Sequence, residues 1–253
     1  LSRPMQTAGS PPVSAVTATF VHLITRAGQS AWGCTVADPA APPEGTARLL
    51  AAVRGCADRL PDLHPFNLEY TLSELTPLAA DVPAALCAFD LALHDLLSLA
   101  AGLPLYRLLG GYRDRLPTSL TLPLATLEES VEASREAAAR GFRILKIKGG
   151  LDPELDVERV RAIHRALPDH TLRLDADGGY SVRQALDVAQ ALKDCLEMLE
   201  QPTPADDLEA LRQMRSHSPA PVLADQSVRG PASALEVASK RCAHGLSVKL
   251  ACC

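Results

Sequence analysis

Five charged residues end short apolar runs at nearly constant intervals along the second half of the chain. They are Lys148, Asp175, Glu200, Asp225 and Lys249, and successive members lie 27, 25, 25 and 24 residues apart. An interval of this length holds one strand, one helix and two short loops, so it predicts a repeated βα unit. Each unit would bring one ionisable group to the same edge of a parallel sheet, where the active sites of (β/α) barrels are assembled.

The composition narrows the classes of protein that the chain can be. With 253 residues, 47% of them hydrophobic, it can bury a large core. The formal net charge of −5 comes without a basic tract, so we expect no nucleic-acid partner. Seven cysteines form an odd count without metal-ligand spacing, which favours free thiols in a reducing compartment. We find no signal-peptide pattern and no apolar run of membrane-spanning length, and therefore expect a cytoplasmic protein without membrane contact.

The chain divides by pattern near residue 111. Before it, β-rich runs at 15–24 and 30–36 predict a hairpin, and 46–60 and 83–101 predict helices. After it, short strands alternate with helices, and Thr126/Glu129 and Ser181/Gln184 form capping boxes at two helix starts. We therefore predict an α/β chain with an α+β capping domain at 1–111 and a (β/α) domain at 112–253. The six strands of the second domain are predicted at 118–122, 143–148, 171–175, 197–200, 221–225 and 246–249.

Alternation within the predicted strands sorts the charges to one face. Leu145 and Ile147 share one face of their strand, while Lys146 and Lys148 share the other. The apolar face should meet the helices, so the charged face points to the inside of a barrel. The like charge of Lys146 should lower the pKa of Lys148 toward that of a working base.

The acidic members of the series suit a metal ion. Asp175, Glu200 and Asp225 are hard oxygen ligands on three adjacent strands, so Mg²⁺ is the first choice and Mn²⁺ the second. A single charge at a strand end is usually a solvated surface group. A cluster of buried charges, however, costs roughly several kcal/mol per ion unless it is paired or metal-bound, so a functional role explains the cluster better.

The motifs at these strand ends resemble those of a known family. The segments are Lys146-Ile147-Lys148, Leu174-Asp175-Ala176-Asp177, Glu200-Gln201-Pro202, Ala224-Asp225-Gln226-Ser227 and Ser247-Val248-Lys249. They resemble the KxK, DAN, EQP and ADES segments and the sixth-strand lysine of the enolase superfamily. The resemblance is to its muconate-lactonising (mandelate racemase/muconate cycloisomerase) subgroup and, within that, to the dipeptide epimerases. Residues 84–111 and 31–33 resemble the capping domain of the same family.

The resemblance implies a fold and a set of ligands. The fold would be a modified TIM-type barrel with strands one to six present and the C-terminal strands missing, behind a capping domain whose first strand is incomplete. Asp175, Glu200 and Asp225 would hold Mg²⁺, with Mn²⁺ as the alternative. The partner would be a small-molecule carboxylate, and the family also implies a homo-oligomer.

The resemblance also implies a reaction. A Mg²⁺-dependent isomerase would remove the proton α to a carboxylate through a metal-stabilised enolate, most simply as an epimerase or racemase of a dipeptide or N-acyl amino acid. Lys148 and Lys249 would serve opposite faces of the substrate, and Lys146 would assist. A lysine pair also occurs in muconate-type cycloisomerases and in dehydratases similar to o-succinylbenzoate synthase, so these alternatives stay open. A further alternative that stays open is a barrel that has lost catalytic activity and serves as a binding or interaction module.

Two positions depart from the family pattern. Asp177 stands where Asn is usual, and Gln226 stands where Glu usually follows the third ligand. We expect both beside the metal ligands, where Asp177 would bind a metal water, raise a neighbouring pKa or reject an anionic substrate group. Gly149-Gly150 could form a phosphate-binding turn, but an ordinary barrel loop is the preferred interpretation. Arg173 is expected to pair with acidic neighbours.

Overall fold

The computed structural model describes residues 5–36 and 43–252. Within these residues the chain forms ten strands and nine α-helices. The strands are β1 (Met5–Thr7), β2 (Ser10–Val13), β3 (Ala18–Ile24), β4 (Ser30–Val36), β5 (Ser119–Leu122), β6 (Ile144–Lys148), β7 (Thr171–Asp175), β8 (Leu196–Glu200), β9 (Val222–Ala224) and β10 (Gly245–Leu246). The helices are α1 (Pro43–Arg59), α2 (Leu68–Leu75), α3 (Pro83–Ala101), α4 (Leu105–Leu108), α5 (Leu127–Ala139), α6 (Pro153–Ala166), α7 (Val182–Ala191), α8 (Leu208–His217) and α9 (Pro231–Ser239). Short 3-10 helices cover Leu60–Asp62, Thr76–Ala79 and Leu250–Cys252.

Strands β5 to β10 form one parallel sheet in which each strand pairs with the next one along the chain. One helix, α5 to α9, separates each pair of consecutive strands. The predicted α/β chain with a parallel sheet is therefore confirmed. Helices between parallel strands cover the faces of such a sheet.

The predicted strands are all present, but the last two are shorter than expected. β9 ends at Ala224 because the backbone N–H of Asp225 donates to the side chain of Gln201 instead of to a neighbouring strand. β10 ends at Leu246, and Ser247 N–H makes one further bond to Ala224 O. The prediction that the sixth strand continues to Lys249 is therefore wrong.

The parity predicted for the strands is found in the sheet. Leu145, Ile147, Leu172 and Leu174 are fully buried in one apolar cluster with residues of the helices α5 to α8. The alternate residues, which include both lysines of β6, face the other way. Burial of the apolar face is the main favourable term for this unit, at about 25 cal/mol per Å² of apolar surface.

The predicted helix starts are also confirmed. Thr126 and Glu129 exchange side-chain and backbone hydrogen bonds at the start of α5, and Ser181 and Gln184 do the same at the start of α7. Such caps satisfy backbone N–H groups that have no partner inside the helix. Each cap fixes where the preceding loop ends, and the loop before α7 carries Asp177.

A second group of elements comprises a hairpin and the helices α1 to α3. Strands β3 and β4 pair antiparallel, from Ala18 opposite Val36 to Ile24 opposite Ser30, as the predicted hairpin requires. The hairpin packs on α3 so closely that a Cβ on Gly33 would lie 1.9 Å from Ala88 O. Only glycine permits this approach.

By contacts, the described residues fall into two compact units. One comprises the chain up to Ser14 with Pro117–Val248, and the other comprises Ala15–Leu116 with the residues from Lys249 onward. The β1–β2 hairpin thus groups with the parallel sheet, since Leu124 N–H donates to Gln6 O. The domain bounds predicted at 1–111 and 112–253 stay a prediction.

Helix α3 corrects one expectation from the sequence. By length and composition it could cross a membrane, although no such segment is predicted above. It carries buried Phe89, Leu93 and Leu96 and packs on β4, α1 and α2, so its apolar composition has a role inside the second unit.

Free cysteines are found as predicted at 34, 56, 87, 195 and 242, while Cys253 lies outside the described residues.

Candidate active site at the carboxyl ends of the parallel strands

The strand register brings the predicted site residues to one edge of the sheet. Lys148 lies opposite Asp175, and Asp175 lies opposite Glu200. Glu200 lies opposite Leu223, so Asp225 follows two residues beyond the level of Glu200. Neighbouring strands are about 4.8 Å apart, which places these side chains within reach of one another. All three carboxylate residues are buried, with exposures of 0%, 5% and 3% for Asp175, Glu200 and Asp225.

Both lysines of β6 bind carboxylates. Lys146 Nζ lies 2.8 Å from Asp175 Oδ2 and 3.2 Å from Glu200 Oε2. Lys148 Nζ lies 2.8 Å from Asp175 Oδ2 and 2.8 Å from each carboxylate oxygen of Asp177. Asp175 is thus shared by two ammonium groups, and the charges form one continuous network across β6, β7 and β8.

The two residues that depart from the family pattern contact each other. Gln226 Nε2 donates to Asp177 Oδ1 over 2.8 Å. Asp177 adopts a positive φ of 47°, a conformation that Asp tolerates better than most residues, and its N–H donates to Asp175 Oδ1 over 3.2 Å. Asp177 therefore serves mainly as a second hydrogen-bond acceptor, after Asp175, for the Lys148 ammonium group.

The electrostatics of Lys148 differ from the prediction. Burial of the Lys148 ammonium lowers its pKa, but the charge of Asp175 and the hydrogen bonds that the ammonium donates to Asp175 and Asp177 outweigh burial, so the pKa lies above its usual value. The pKa of Lys146 is raised as well, because Asp175 and Glu200 outweigh the effect of its burial. The expected lowering of the Lys148 pKa by Lys146 is therefore wrong, since each lysine faces carboxylates at closer range.

The carboxylates respond in opposite directions. Burial and the charges of Asp175 and Asp225 raise the pKa of Glu200 against the opposing effects of Lys146 and Ser247. Burial would also raise the pKa of Asp175, but Lys148 and Lys146 reverse this and lower it. Of these two carboxylates, Glu200 is the one whose ionised form is less compensated by protein groups.

Gln201 holds the backbone around Asp225, a role that the motif alone does not reveal. This fully buried side chain accepts from the N–H groups of Asp225 and Ser227, over 2.8 and 3.2 Å. Its Nε2 donates to Thr203 O and Ser227 Oγ. All four hydrogen-bonding positions of the amide are therefore used, and the loop that carries Asp225 is fixed to the end of β8.

Lys249 is not part of the sheet. It follows β10 by three residues, is exposed, and groups by contacts with the second unit. Its role as the second base stays a prediction.

Two further predictions concern residues near the site. Arg173 pairs with Glu197, as expected. The N–H of Gly150 donates to Asp156 Oδ2 and Tyr180 Oη, over 2.8 and 3.2 Å, so this turn is not free to bind a phosphate.

The carboxylates of the site have the chemistry of divalent-cation ligands. Within 5–36 and 43–252, no three acidic, histidine or cysteine side chains stand grouped as ligands of a metal ion, since the lysines hold Asp175 and Glu200. The donor chemistry nonetheless suits a hard cation, with three buried carboxylates on adjacent strands. Gln226 Oε1, beside Asp225, is buried and accepts no hydrogen bond from any described residue, as expected where a ligand or its water supplies the donor. The donor types and the burial of these residues therefore suit Mg²⁺, although the lysines hold two of the carboxylates in this arrangement.

Comparisons with known proteins agree with this geometry. A sequence model of the family described as "Enolase C-terminal domain-like" matches residues 129–253. The L-Ala-D/L-Glu epimerase of Clostridium acetobutylicum is 31% identical over 255 residues, which cover 99% of this chain and 71% of the relative. This chain belongs to the enolase superfamily. It falls in the dipeptide-epimerase-like subgroup of that superfamily, as the motifs predict.

Two further matches are to proteins of Enterococcus faecalis. Its hydrophobic dipeptide epimerase is 37% identical over 193 residues, which are 76% of this chain and 54% of the relative. The chain thus spans about half the length of this relative. The chain is also similar to the crystal structure of a dipeptide epimerase from the same organism, complexed with Mg and the dipeptide L-Leu-L-Tyr, with a TM-score of 0.93 and 31% sequence identity. The match covers 100% of this chain and 72% of the chain in that structure.

Proposed function

We propose that this superfamily member is a Mg²⁺-dependent dipeptide epimerase. It would remove the proton α to the carboxylate of a dipeptide and return a proton to the opposite face. We also propose that the six parallel strands are the first six of a (β/α) barrel and that the enzyme works in the cytoplasm, in line with the free cysteines among the described residues. The homo-oligomer and the absence of nucleic-acid and membrane partners stay predictions.

The metal ligands in this proposal are Asp175, Glu200 and Asp225. Their hard oxygens, their burial and the raised pKa of Glu200 support the assignment. Asp177 and Gln226 would lie beside them and hold water or substrate through the buried Gln226 Oε1. When bound, Mg²⁺ would stabilise the negative charge that develops on the substrate carboxylate as the α proton leaves.

Lys148 is the proposed base for one face of the substrate. Three carboxylate oxygens within 2.8 Å restrict its ammonium group to one position, and a positioned group is what proton transfer needs. Lys146 would compensate the charge of Asp175 and Glu200. Lys249 is the proposed base for the opposite face, on its position in the motif series alone.

One observation carries the proposal. The ammonium of Lys148 lies 2.8 Å from Asp175 and from Asp177 at the end of β7, and Lys148, Asp175 and the neighbouring Glu200 are buried. Compared with packed apolar residues of the same volume, a buried ionic network adds little stability, because desolvation offsets most of the Coulomb energy, although removing one partner is costly. Proton transfer next to a carboxylate-binding metal accounts for it better.

The test is hydrogen exchange at the α carbon in deuterated water. L-Ala-L-Glu and hydrophobic dipeptides, the two kinds that the relatives described above are named for, and also cationic dipeptides are incubated with the protein and Mg²⁺ and analysed by NMR and chiral chromatography. We expect deuterium in both epimers of at least one dipeptide, and none with Lys148→Ala. Lys193→Ala, which changes an exposed lysine, is the matched control and should exchange like the unmodified chain.

The same experiment separates the alternatives. Conversion of muconate to a lactone without dipeptide exchange would favour a cycloisomerase. If no carboxylate reacts and Mg²⁺ leaves the melting temperature unchanged, the protein is a non-catalytic binding barrel and the proposal is wrong.

A further inference from the structure

A second group of charges is buried behind the candidate site, where no substrate or metal is proposed. Arg159 and Asp156, both on α6, are each 1% exposed. Their helix positions share a face with Val160 and Ile163, which are in the apolar core. Removing two charged groups from water is unfavourable unless hydrogen bonds and an opposite charge replace the lost hydration.

Arg159 binds the carboxyl ends of two strands. Its Nη1 donates to Lys148 O over 2.8 Å, and its Nη2 donates to Pro123 O, just after β5, over 2.9 Å. Nε donates to Ser130 Oγ on α5, and Nη1 also meets Asp156 Oδ1. The planar guanidinium is therefore fixed by partners on β6, α5, α6 and the loop after β5. A lysine, with one ammonium group, could not satisfy all of them.

Asp156 extends the contact to the next loop. Its Oδ2 accepts from Gly150 N–H over 2.8 Å and from Tyr180 Oη over 2.6 Å. Burial and the charge of Asp156 both raise the pKa of Tyr180, so the hydroxyl remains a donor. Tyr180 N–H donates in turn to Pro202 O, after β8.

The loops after β6 and β7 meet through their backbones. A Cβ on Gly150 would lie 2.1 Å from Ala176 O, and a Cβ on Gly179 would lie 2.1 Å from Gly150 O. Asp177, which binds the Lys148 ammonium, stands between these contacts in the loop that Tyr180 ends. Both partners of the Lys148–Asp177 ion pair are thus connected to the Arg159–Asp156–Tyr180 network.

We propose that Arg159, with Asp156 and Tyr180, positions the base Lys148, by holding the Lys148 carbonyl from behind and fixing the adjacent loop that carries Asp177. The role of Lys148 as a base rests on the proposed function. The positioning itself rests only on the contacts described above. The three residues touch no reacting atom in this proposal, so they act through Lys148.

The informative variants change few atoms. Arg159→Lys keeps the charge and removes the planar donor group, and Tyr180→Phe removes one hydroxyl group. Arg161→Lys is the matched control, because Arg161 lies on the same helix and also donates to a carbonyl, that of Ala191, but is exposed. If Arg159→Lys does not fold, Tyr180→Phe decides.

The first readout is the stereochemistry of α-hydrogen exchange. Lys148→Ala identifies the epimer that Lys148 deprotonates. For that epimer we expect kcat to fall about tenfold or more in Arg159→Lys and about threefold in Tyr180→Phe, with KM nearly unchanged, because a small misplacement of a catalytic group is costly. Exchange of the other epimer should change less than about twofold. Equal losses for both epimers would mean a merely structural role and would overturn the proposal.

The second readout needs no activity. Acetic anhydride acylates lysine amines, and mass spectrometry gives the rate for each lysine. In Arg159→Lys, Lys148 should react about threefold faster or more, because its ion pairs are loosened, while Lys146 and the exposed Lys193 keep their rates. An unchanged Lys148 rate would refute the positioning role. If the unmodified protein exchanges no dipeptide, the proposed function fails, and this labelling still decides whether Arg159 positions Lys148.

Discussion

The bidentate contact between Asp177 and Lys148 gives a stability prediction. In Asp177→Asn the amide keeps one acceptor oxygen and loses the negative charge. Lys148 keeps Asp175 at 2.8 Å, so it is not left as an unpaired buried charge, which would cost about 3–5 kcal/mol. The loss is nearer to one charge-assisted hydrogen bond, about 2 kcal/mol. For a chain of this size we therefore expect the melting temperature to fall by roughly 4–8 °C.

The assay is thermal and urea unfolding in a buffer with a metal chelator, so that only protein groups determine the result. Asp187→Asn is the matched control. Asp187 is 76% exposed and lies 3.9 Å from Arg183, and its replacement should change stability by less than about 0.5 kcal/mol. If Asp177→Asn is as stable as the unmodified chain, the Lys148–Asp177 contact does not stabilise the fold and the electrostatic reasoning about Lys148 is refuted.

Three further predictions use the same unfolding assay. Because the folded-state pKa of Glu200 is raised, the contribution of Glu200 to stability falls as pH rises through that pKa. In the presence of chelator, Glu200→Gln should therefore be more stable than the unmodified chain at pH 7, with a smaller difference at pH 5, and it should lose α-hydrogen exchange. An equal difference in stability at both pH values would contradict this. Gly150→Ala should destabilise the fold by more than about 2 kcal/mol, because the added Cβ would clash with Ala176 O and because φ at this position is 104°. The control, Gly55→Ala, lies inside α1 with free space around it and should be neutral or stabilising. Thr126→Ala should cost about 1 kcal/mol through loss of the α5 cap, and a cost near zero would show that Glu129 alone caps the helix.

Much of the parallel-sheet unit is predictable because its signals are local. Strand parity, the two capping boxes and the spacing of the charged residues each depend on a few neighbouring positions, and they give the sheet, the helix starts and the meeting of Lys148 with Asp175. The position at which β10 ends cannot be predicted from neighbouring residues in this way. It depends on how residues after Leu246 pair with β9, which the apolar pattern at 246–249 does not reveal.

Prediction of the site from the sequence has a similar limit. Its residues are found from spacing, but the pKa of Lys148 depends on which charge is nearest. Sequence places Lys146 two residues away, whereas the folded chain places Asp175 and Asp177 at 2.8 Å. The network behind the site is missed for another reason. Charged residues on the apolar face of α6, at 156 and 159, were a usable signal, but their partners Pro123 O and Tyr180 come from distant segments.

The contact between Gly150 and Gly179 has a consequence for protein engineering. Because the two backbones touch, the loops after β6 and β7 would have to be transplanted together when specificity is exchanged between relatives. A chimera that takes one loop from a donor without a glycine at the matching place would drive a methyl group into a peptide oxygen. Libraries that randomise these two segments as one cassette should therefore yield more folded members than libraries that vary either segment alone.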